Sequence, residues 1–526
     1  MEKVLKLAFK PVDYFLNWPE KYNEFLQGAY APVHEQITTK CEVVGELPEA
    51  VFGEFARNGP NPRFAPKAGY HWFDGDGMVH AVRLKSSGSA TYMNRYVKTN
   101  MLQAAEQAGE PIDLKIGDMA NRLFLPKMMT HNLKVKLGVI PNFKEMLEST
   151  ANTSLVFHAG RLMALSEGGL PYALRVVCEG VIETLGKLSF DGKMDTAFTA
   201  HPKKHVSSGK LYGFGYNLDT KPFLTMYVVD AEGKLERQFP INVERGSMMH
   251  DFAITENYAI FLDLPMVFRP ENLVKGGFPI VFDNTLGARM GVLPLNATDD
   301  SSIQWFDMPE AFMAFHVLNA WEEKVDVDGT TNSVLKVVTC DMFDINLDQN
   351  ELITDQEQPP GRLPQPHTTT LNLDTGKATR VCITPQPPKE GLDFPQLDQS
   401  LIGKRNRFGF FCGFDKKGLP AAVVKLDLEA ATPETAEVGR IDLGDWLGGE
   451  AMFTPRHGGG EGDEDDGFLV SFVSPKDCGN SELRVWDAKT MNPDPVATVK
   501  LPARVPLGFH AIFVAEAELA TQKPQQ

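Results

Sequence analysis

From Glu42 onward the chain alternates between short apolar runs and clusters of Gly, Pro, Asn and Asp. Runs of four to eight β-branched and aromatic residues bounded by such clusters predict strands, and the clusters themselves predict turns. Residues 247–265 give the clearest hairpin. Residues 251–254 read as one strand, Thr255, Glu256 and Asn257 as the turn, and 258–262 as the return. The unbroken apolar run of the return suits burial on both faces. Similar turns stand at 82–88, 176–180, 227–233, 281–285, 371–376, 424–428 and 484–490. They recur roughly every 50 to 60 residues, with two gaps near 90, and a period of that length marks propeller blades. The count predicts an all-β, seven-bladed β-propeller.

The two long gaps then carry insertions. In the first, about residues 100–150, apolar positions such as Phe124, Met128, Leu133 and Leu137 return among Lys127, Lys134 and Lys136. That spacing predicts a helical dome over one face of the propeller. Being both apolar and basic, residues 120–140 also predict a peripheral membrane contact. Residues 1–40 read as an N-terminal helical segment, with Val4, Leu5, Ala8, Phe15 and Leu16 at roughly helical spacing. Residues 341–366 and 458–467, acidic and rich in Pro or Gly, predict surface loops.

The 526 residues, 43% hydrophobic with 34 Phe, suffice for one large closed architecture spanning 1–526. A net charge of −17 leaves no dominant basic face, which argues against nucleic acid as a partner. The six cysteines are scattered without a CxxC pair, as expected of reduced thiols. No run of 18 apolar residues exists, and the N-terminus lacks the pattern of a signal or transit peptide. A soluble cytoplasmic protein is expected.

Of the 12 histidines, His201, His250, His316 and His510 stand in apolar strand contexts. Separations of 49, 66 and 194 residues place each on a different blade. Propeller strands converge on the axis, so four inward imidazoles can meet at one point. Such a set suits a borderline divalent ion, iron(II) or zinc. The alternative is four separate structural histidines, each satisfied by hydrogen bonds. Spacing leaves both readings open.

Arg57-Asn-Gly-Pro-Asn-Pro62, Tyr70-His-Trp-Phe-Asp-Gly-Asp-Gly-Met78, Ala200-His-Pro-Lys203, Met248-Met-His-Asp-Phe-Ala-Ile-Thr255 and Arg504-Val-Pro-Leu-Gly-Phe-His510 run nearly end to end. Together they resemble the carotenoid cleavage dioxygenase family, above all the soluble plant-type class that cuts at 9,10 double bonds. The resemblance implies a seven-bladed propeller, a helical dome, an apolar tunnel and one iron(II) per chain. It implies His201, His250, His316 and His510 as ligands, and no catalytic side chain beyond the metal centre. Glu167, Asp393 and Glu450 match the acidic residues expected behind the ligands, where a carboxylate accepts the second imidazole N–H. Asp393 stands where most members carry glutamate. One methylene shorter, it is expected to reach its histidine only through a shift or a water. Thr153 matches the residue that crowds an open iron position; it also reads as an ordinary strand threonine.

The implied activity is cleavage of a conjugated C=C bond of a carotenoid or apocarotenoid by O2, giving two carbonyl products. Alternatives on the same fold are a stilbenoid or phenylpropenoid oxygenase acting on an aryl alkene, a retinoid-type isomerase, and a propeller that only binds apolar ligands.

Overall fold

Strands whose apolar residues face both ways must be covered on both faces, and stacked blades around an axis do this. The computed structural model describes residues 2–17, 23–67, 69–112, 114–120, 123–275, 277–327, 329–347, 357–457 and 462–523. Five four-stranded antiparallel blades follow one another along the chain. The first comprises Ser154–His158, Arg161–Leu165, Tyr172–Val176 and Ile182–Lys187. The second comprises Lys203–Lys204, Leu211–Tyr216, Leu224–Val229 and Leu235–Ile241. The third comprises Phe252–Ile254, Tyr258–Asp263, Arg289–Pro294 and Gln304–Asp307. Met313–Val327, Thr330–Met342, Gln365–Asn372 and Lys377–Cys382 form the fourth. Gly391–Gln396, Phe408–Phe414, Pro420–Asp427 and Glu437–Asp442 form the fifth.

Burial tracks position within a blade. Leu224–Val229, in the middle, is buried throughout, whereas the outermost strands Leu235–Ile241 and Lys377–Cys382 alternate with solvent. The largest core cluster joins the second, third and fourth blades, with Phe214, Phe252, Phe261, Phe306 and Phe312 fully enclosed.

The all-β, propeller-like architecture with a helical minority is therefore present, but the expected count of seven blades is corrected. Five separate blades are seen, and the other main strands join one ten-stranded sheet. The cause is Thr38–Gly45, which serves two partners. Residues 38–41 pair with Ala90–Tyr96, and residues 42–45 pair with Ala497–Lys500. Strands from the two ends of the chain thus run on as one sheet. Ala511–Ala515 pairs with Gly53–Pro60 in that same sheet and closes the ring. Six of the seven predicted turns do join neighbouring strands of one sheet. The seventh, at 281–285, follows a two-stranded excursion made of Met266–Phe268 and Ile280–Phe282.

The first insertion is helical as predicted, with Asn100–Ala108, a 3₁₀ segment at Ile116–Ala120 and Phe124–Lys136. Thr99 caps Asn100–Ala108 through its hydroxyl, which accepts the Leu102 N–H at 3.0 Å. The N-terminal helix Glu2–Leu16 leans on Phe124–Lys136 through Lys134, whose ammonium lies 2.5 Å from Asp13 and over the Phe9 ring. The short helix Pro270–Lys275 also meets Phe124–Lys136. Asp74 ties this insertion to the blades by accepting the Ile116 and Gly117 N–H groups at 2.6 and 2.8 Å. Residues 18–22, 121–122, 348–356 and 458–461, which fall within the predicted N-terminal, dome and loop segments, lie outside the described residues.

Candidate metal centre

Each of the four singled-out histidines sits at the inner end of a different strand. His201 precedes Lys203–Lys204, His250 precedes Phe252–Ile254, His316 lies within Met313–Val327, and His510 precedes Ala511–Ala515. The fold brings all four together: one ring nitrogen from each lies within 4.8 Å of every other. His201 Nε2 and His250 Nε2 are 3.0 Å apart, and His316 Nε2 and His510 Nε2 are 3.1 Å apart. The reading as four separate structural histidines is overturned by this geometry.

Three of the rings are held from behind. His250 Nδ1 is 3.2 Å from Glu167 Oε2, His316 Nδ1 is 2.8 Å from Asp393 Oδ1, and His510 Nδ1 is 3.1 Å from Glu450 Oε1. A carboxylate only accepts, so each Nδ1 carries the proton and each Nε2 presents a lone pair. His316 and His510 therefore point two lone pairs at each other across 3.1 Å. That arrangement is repulsive unless a cation lies between them. Two nitrogens bound at right angles to one ion at about 2.1 Å stand about 3.0 Å apart, so the donor set fits a single first-row divalent ion.

Asp393 reaches His316 directly and without a bridging water, through a local shift of the backbone. Met313–Val327 and Gly391–Gln396 run on adjacent blades. The pairing of the latter slips between Asp393 and Gln396, with Phe394 in the left-handed region at φ 51°. This bulge turns the shorter side chain onto the ring. Glu450 is fixed more fully, since it also accepts the Ala511 N–H at 2.6 Å and the Gln396 amide at 2.8 Å.

Burial and then the neighbouring imidazoles hold His201 well below the ordinary histidine range. Burial also lowers His510, with Glu450 opposing. For His316 burial pulls the same way, but the Asp393 charge and hydrogen bond outweigh it and raise the ring. Thr153 stands just before Ser154–His158. Its carbonyl accepts the His510 N–H at 3.2 Å, and its hydroxyl donates to Asn152.

Several site residues were not read from the sequence. Asp251 accepts the Phe252 N–H at 2.7 Å, the Val317 N–H at 2.8 Å and the Lys203 ammonium at 2.7 Å. It thereby ties together the strands that carry His201, His250 and His316. Its signal was a charged residue beside His250 at the head of an apolar strand. Burial, and then the Glu167 carboxylate, push the Tyr216 hydroxyl well above the ordinary range. Phe315 packs on His250 at 5.2 Å between centroids, and Phe394 lies 4.8 Å from His316 and 4.9 Å from His510. Neither phenylalanine differs in sequence from any other core aromatic. Phe509, next to His510, packs at an angle against Trp72 and edge-on against Phe73, in the turn that Asp74 joins to the helical insertion.

A cavity of about 1370 Å³ reaches His201, His316 and His510; its lining mixes polar residues such as Lys203, Asp251 and Gln396 with apolar ones such as Val317, Leu318 and Ile512.

The family described as retinal pigment epithelial membrane protein (RPE65) matches residues 30–515. Over 531 residues the chain is 41% identical to carotenoid 9,10(9′,10′)-cleavage dioxygenase 1 of Phaseolus vulgaris, covering 99% of this chain and 94% of that one. It is 40% identical over 537 residues to the carotenoid 9,10(9′,10′)-cleavage dioxygenase of Crocus sativus, covering 99% and 95%. Among solved structures, lignostilbene dioxygenase of Pseudomonas brassicacearum superposes with a TM-score of 0.76 at 26% identity, over 95% of this chain and 99% of that one. A cobalt-substituted Synechocystis apocarotenoid oxygenase superposes with a TM-score of 0.73 at 22% identity, over 96% and 99%, a likeness of fold.

Proposed function

The chain belongs to the RPE65/carotenoid oxygenase family, and on that footing we propose that it is an iron(II)-dependent dioxygenase. It cleaves the 9,10 (9′,10′) double bond of a carotenoid or apocarotenoid with O2 and releases two carbonyl products. The observation that carries this reading is the convergence of four Nε2 lone pairs, three of them fixed by carboxylates behind the ring. Identities of 41% and 40% along nearly the whole chain support the carotenoid substrate and the position of cleavage.

We assign His201, His250, His316 and His510 as the ligands of one iron ion. Glu167, Asp393 and Glu450 hold three of the Nδ1 protons, so the rings keep one tautomer and their facing nitrogens stay basic. Neutral imidazoles bring no charge to the ion, and the three carboxylates supply the balancing charge one bond further out. Iron(II), when bound, supplies the activation of O2 toward an alkene. The protein supplies orientation: Phe315 and Phe394 make an apolar wall beside the rings, against which a polyene lies and from which water is excluded. Thr153, anchored beside His510, is assigned as the side chain that narrows an open position.

The Pseudomonas brassicacearum likeness favours one second reading, cleavage of a stilbenoid alkene at the same centre. Incubating the iron-loaded protein separately with β-apo-carotenals, resveratrol and isoeugenol, then identifying the aldehydes, separates the two. Carotenoid-derived aldehydes alone are expected. His250→Ala is expected to lose both iron and turnover; stoichiometric iron with full turnover in that variant would sink the assignment.

We further propose that the helical insertion meets a lipid surface. On Phe124–Lys136 and the residue after it, Met129, Leu133 and Leu137 are 70%, 46% and 46% exposed, and Tyr14, Phe15 and Val274 on the neighbouring helices are exposed as well. No helix among the described residues is long and apolar enough to cross a membrane.

A further inference from the structure

The fourth blade holds a second set of reactive side chains that shares no residue with the histidine cluster. Cys382 ends the outer strand Lys377–Cys382 and lies opposite His367 on Gln365–Asn372. His367 Nδ1 is 2.9 Å from the Gln365 carbonyl and 3.2 Å from Asp341 Oδ2. With two oxygens in front of it, Nδ1 carries a proton, and Nε2 is the nitrogen left for the sulfur. As directly opposed residues of an antiparallel pair, the thiol and the imidazole project side by side from the same face of the sheet. Asp341 is fully buried at the end of Thr330–Met342 and ion-paired with Arg380, so its position is fixed. A further donor, the Gln386 amide, lies 3.1 Å from the sulfur, and the Thr384 hydroxyl lies 3.6 Å from it.

Three other thiols differ. Burial pushes Cys340 and Cys412 well above the ordinary range, and it raises Cys41 as well. Cys382 also feels burial, but the His367 hydrogen bond and charge outweigh it and bring the thiol below the ordinary range. Cys382 is half-buried and so reachable. A thiol, an imidazole and an orienting carboxylate in this order is the arrangement that activates a sulfur nucleophile.

We propose that Cys382 is a reactive thiolate site for small hydroperoxides, with His367 as its proton carrier and Asp341 as the group that orients His367. The sulfur attacks one peroxide oxygen; an S–O bond forms and the O–O bond breaks. Sulfur is oxidised by two electrons to sulfenic acid and the peroxide is reduced. The departing oxygen takes the proton from His367 and leaves as water or alcohol. The Gln386 N–H steadies the anionic sulfur beforehand.

The test uses the full chain with its metal and two probes. Iodoacetamide labelling is followed by peptide mass spectrometry across the neutral pH range, with exposed Cys478 as the internal reference. At about pH 6.5 Cys382 is expected to label several-fold faster than Cys478, because His367 and the Gln386 amide beside the sulfur favour the thiolate. His367→Asn is expected to erase that lead. Gln386→Glu, at an exposed position that does not enter the core, is expected to slow labelling by placing an anion beside the sulfur. Hydrogen peroxide followed by dimedone is expected to mark Cys382 before any other cysteine. Labelling of Cys382 no faster than that of Cys478, a profile indifferent to both substitutions, or dimedone on another cysteine first overturns the proposal.

Discussion

Asp393 is a methylene shorter than the glutamate that the family resemblance leads one to expect, yet it makes the closest of the three imidazole–carboxylate contacts, at 2.8 Å. Its Oδ1 also accepts the Phe394 N–H at 2.8 Å, so the bulge that delivers the carboxylate locks it in place. Removing the charge while keeping the shape isolates this role. Asp393→Asn is expected to weaken metal binding about 10- to 100-fold, the usual penalty for losing an imidazole's carboxylate partner. Competition with a chromophoric chelator measures it, and an unchanged affinity would show that His316 needs no anchor. That the contact needs no water was invisible in the sequence, because reach depends on backbone path and a bulge leaves no side-chain signature. The histidines were legible only in part. Residue type and apolar context singled out His201, His250, His316 and His510, but gaps of 49, 66 and 194 residues carry no geometry until the blades are assembled.

Elements set by local pattern were read well. The hairpin expected at 251–262 forms as Phe252–Ile254 and Tyr258–Asp263, with Thr255 at the turn accepting the Asn257 and Tyr258 N–H groups. Its apolar return is buried because Arg289–Pro294 pairs on its other side. The blade count failed for a nonlocal reason: a turn marks where two strands meet, not which further strand each one joins. Thr38–Gly45 pairs with strands at both ends of the chain, a fact no local period contains. The helical insertion was legible as helix, and its exposed apolar side chains give the lipid proposal a direct test. Met129→Glu together with Leu133→Glu alters only solvent-facing positions, so folding is expected to be unchanged. Binding to anionic liposomes at low salt is expected to fall several-fold in a flotation assay, since lipid contact of this kind scales with buried apolar area. Equal flotation of variant and parent would remove this face from consideration.

The whole molecule is held closed where its two ends meet, and buried histidines near that closure make its stability depend on pH. His71 is enclosed with Nδ1 accepting the Phe73 N–H and Nε2 donating to the Leu347 carbonyl, and burial lowers it to about 4. His80 lies on Gly77–Leu84 of the ten-stranded sheet against the Tyr92 hydroxyl. Burial, then Arg57 and Arg504, hold it well below the ordinary range. Both titrate near 6.5 when unfolded. Folded values below unfolded ones mean that the unfolded chain binds more protons in between. The stability these rings contribute is thus complete above about pH 6.5 and is lost as pH falls through the window below it. Asp74 acts with the opposite sign. Burial raises it to about 6 despite Lys115 and three backbone N–H bonds, so the folded chain gains a proton, and stability, as pH falls below 6. For His71 and Asp74 the two effects are each roughly 3 kcal/mol and offset one another. His80 adds to the loss on acidification, whereas Glu54, whose carboxyl burial raises well above the ordinary range, opposes it, so the single substitutions carry the test. His80→Asn should flatten the fall in denaturation midpoint, and Asp74→Asn should steepen it by removing the offset. Measuring every variant metal-free beside the parent cancels the contribution of the clustered histidines. A slope indifferent to His80→Asn, or made shallower by Asp74→Asn, would reverse the assignment of sign.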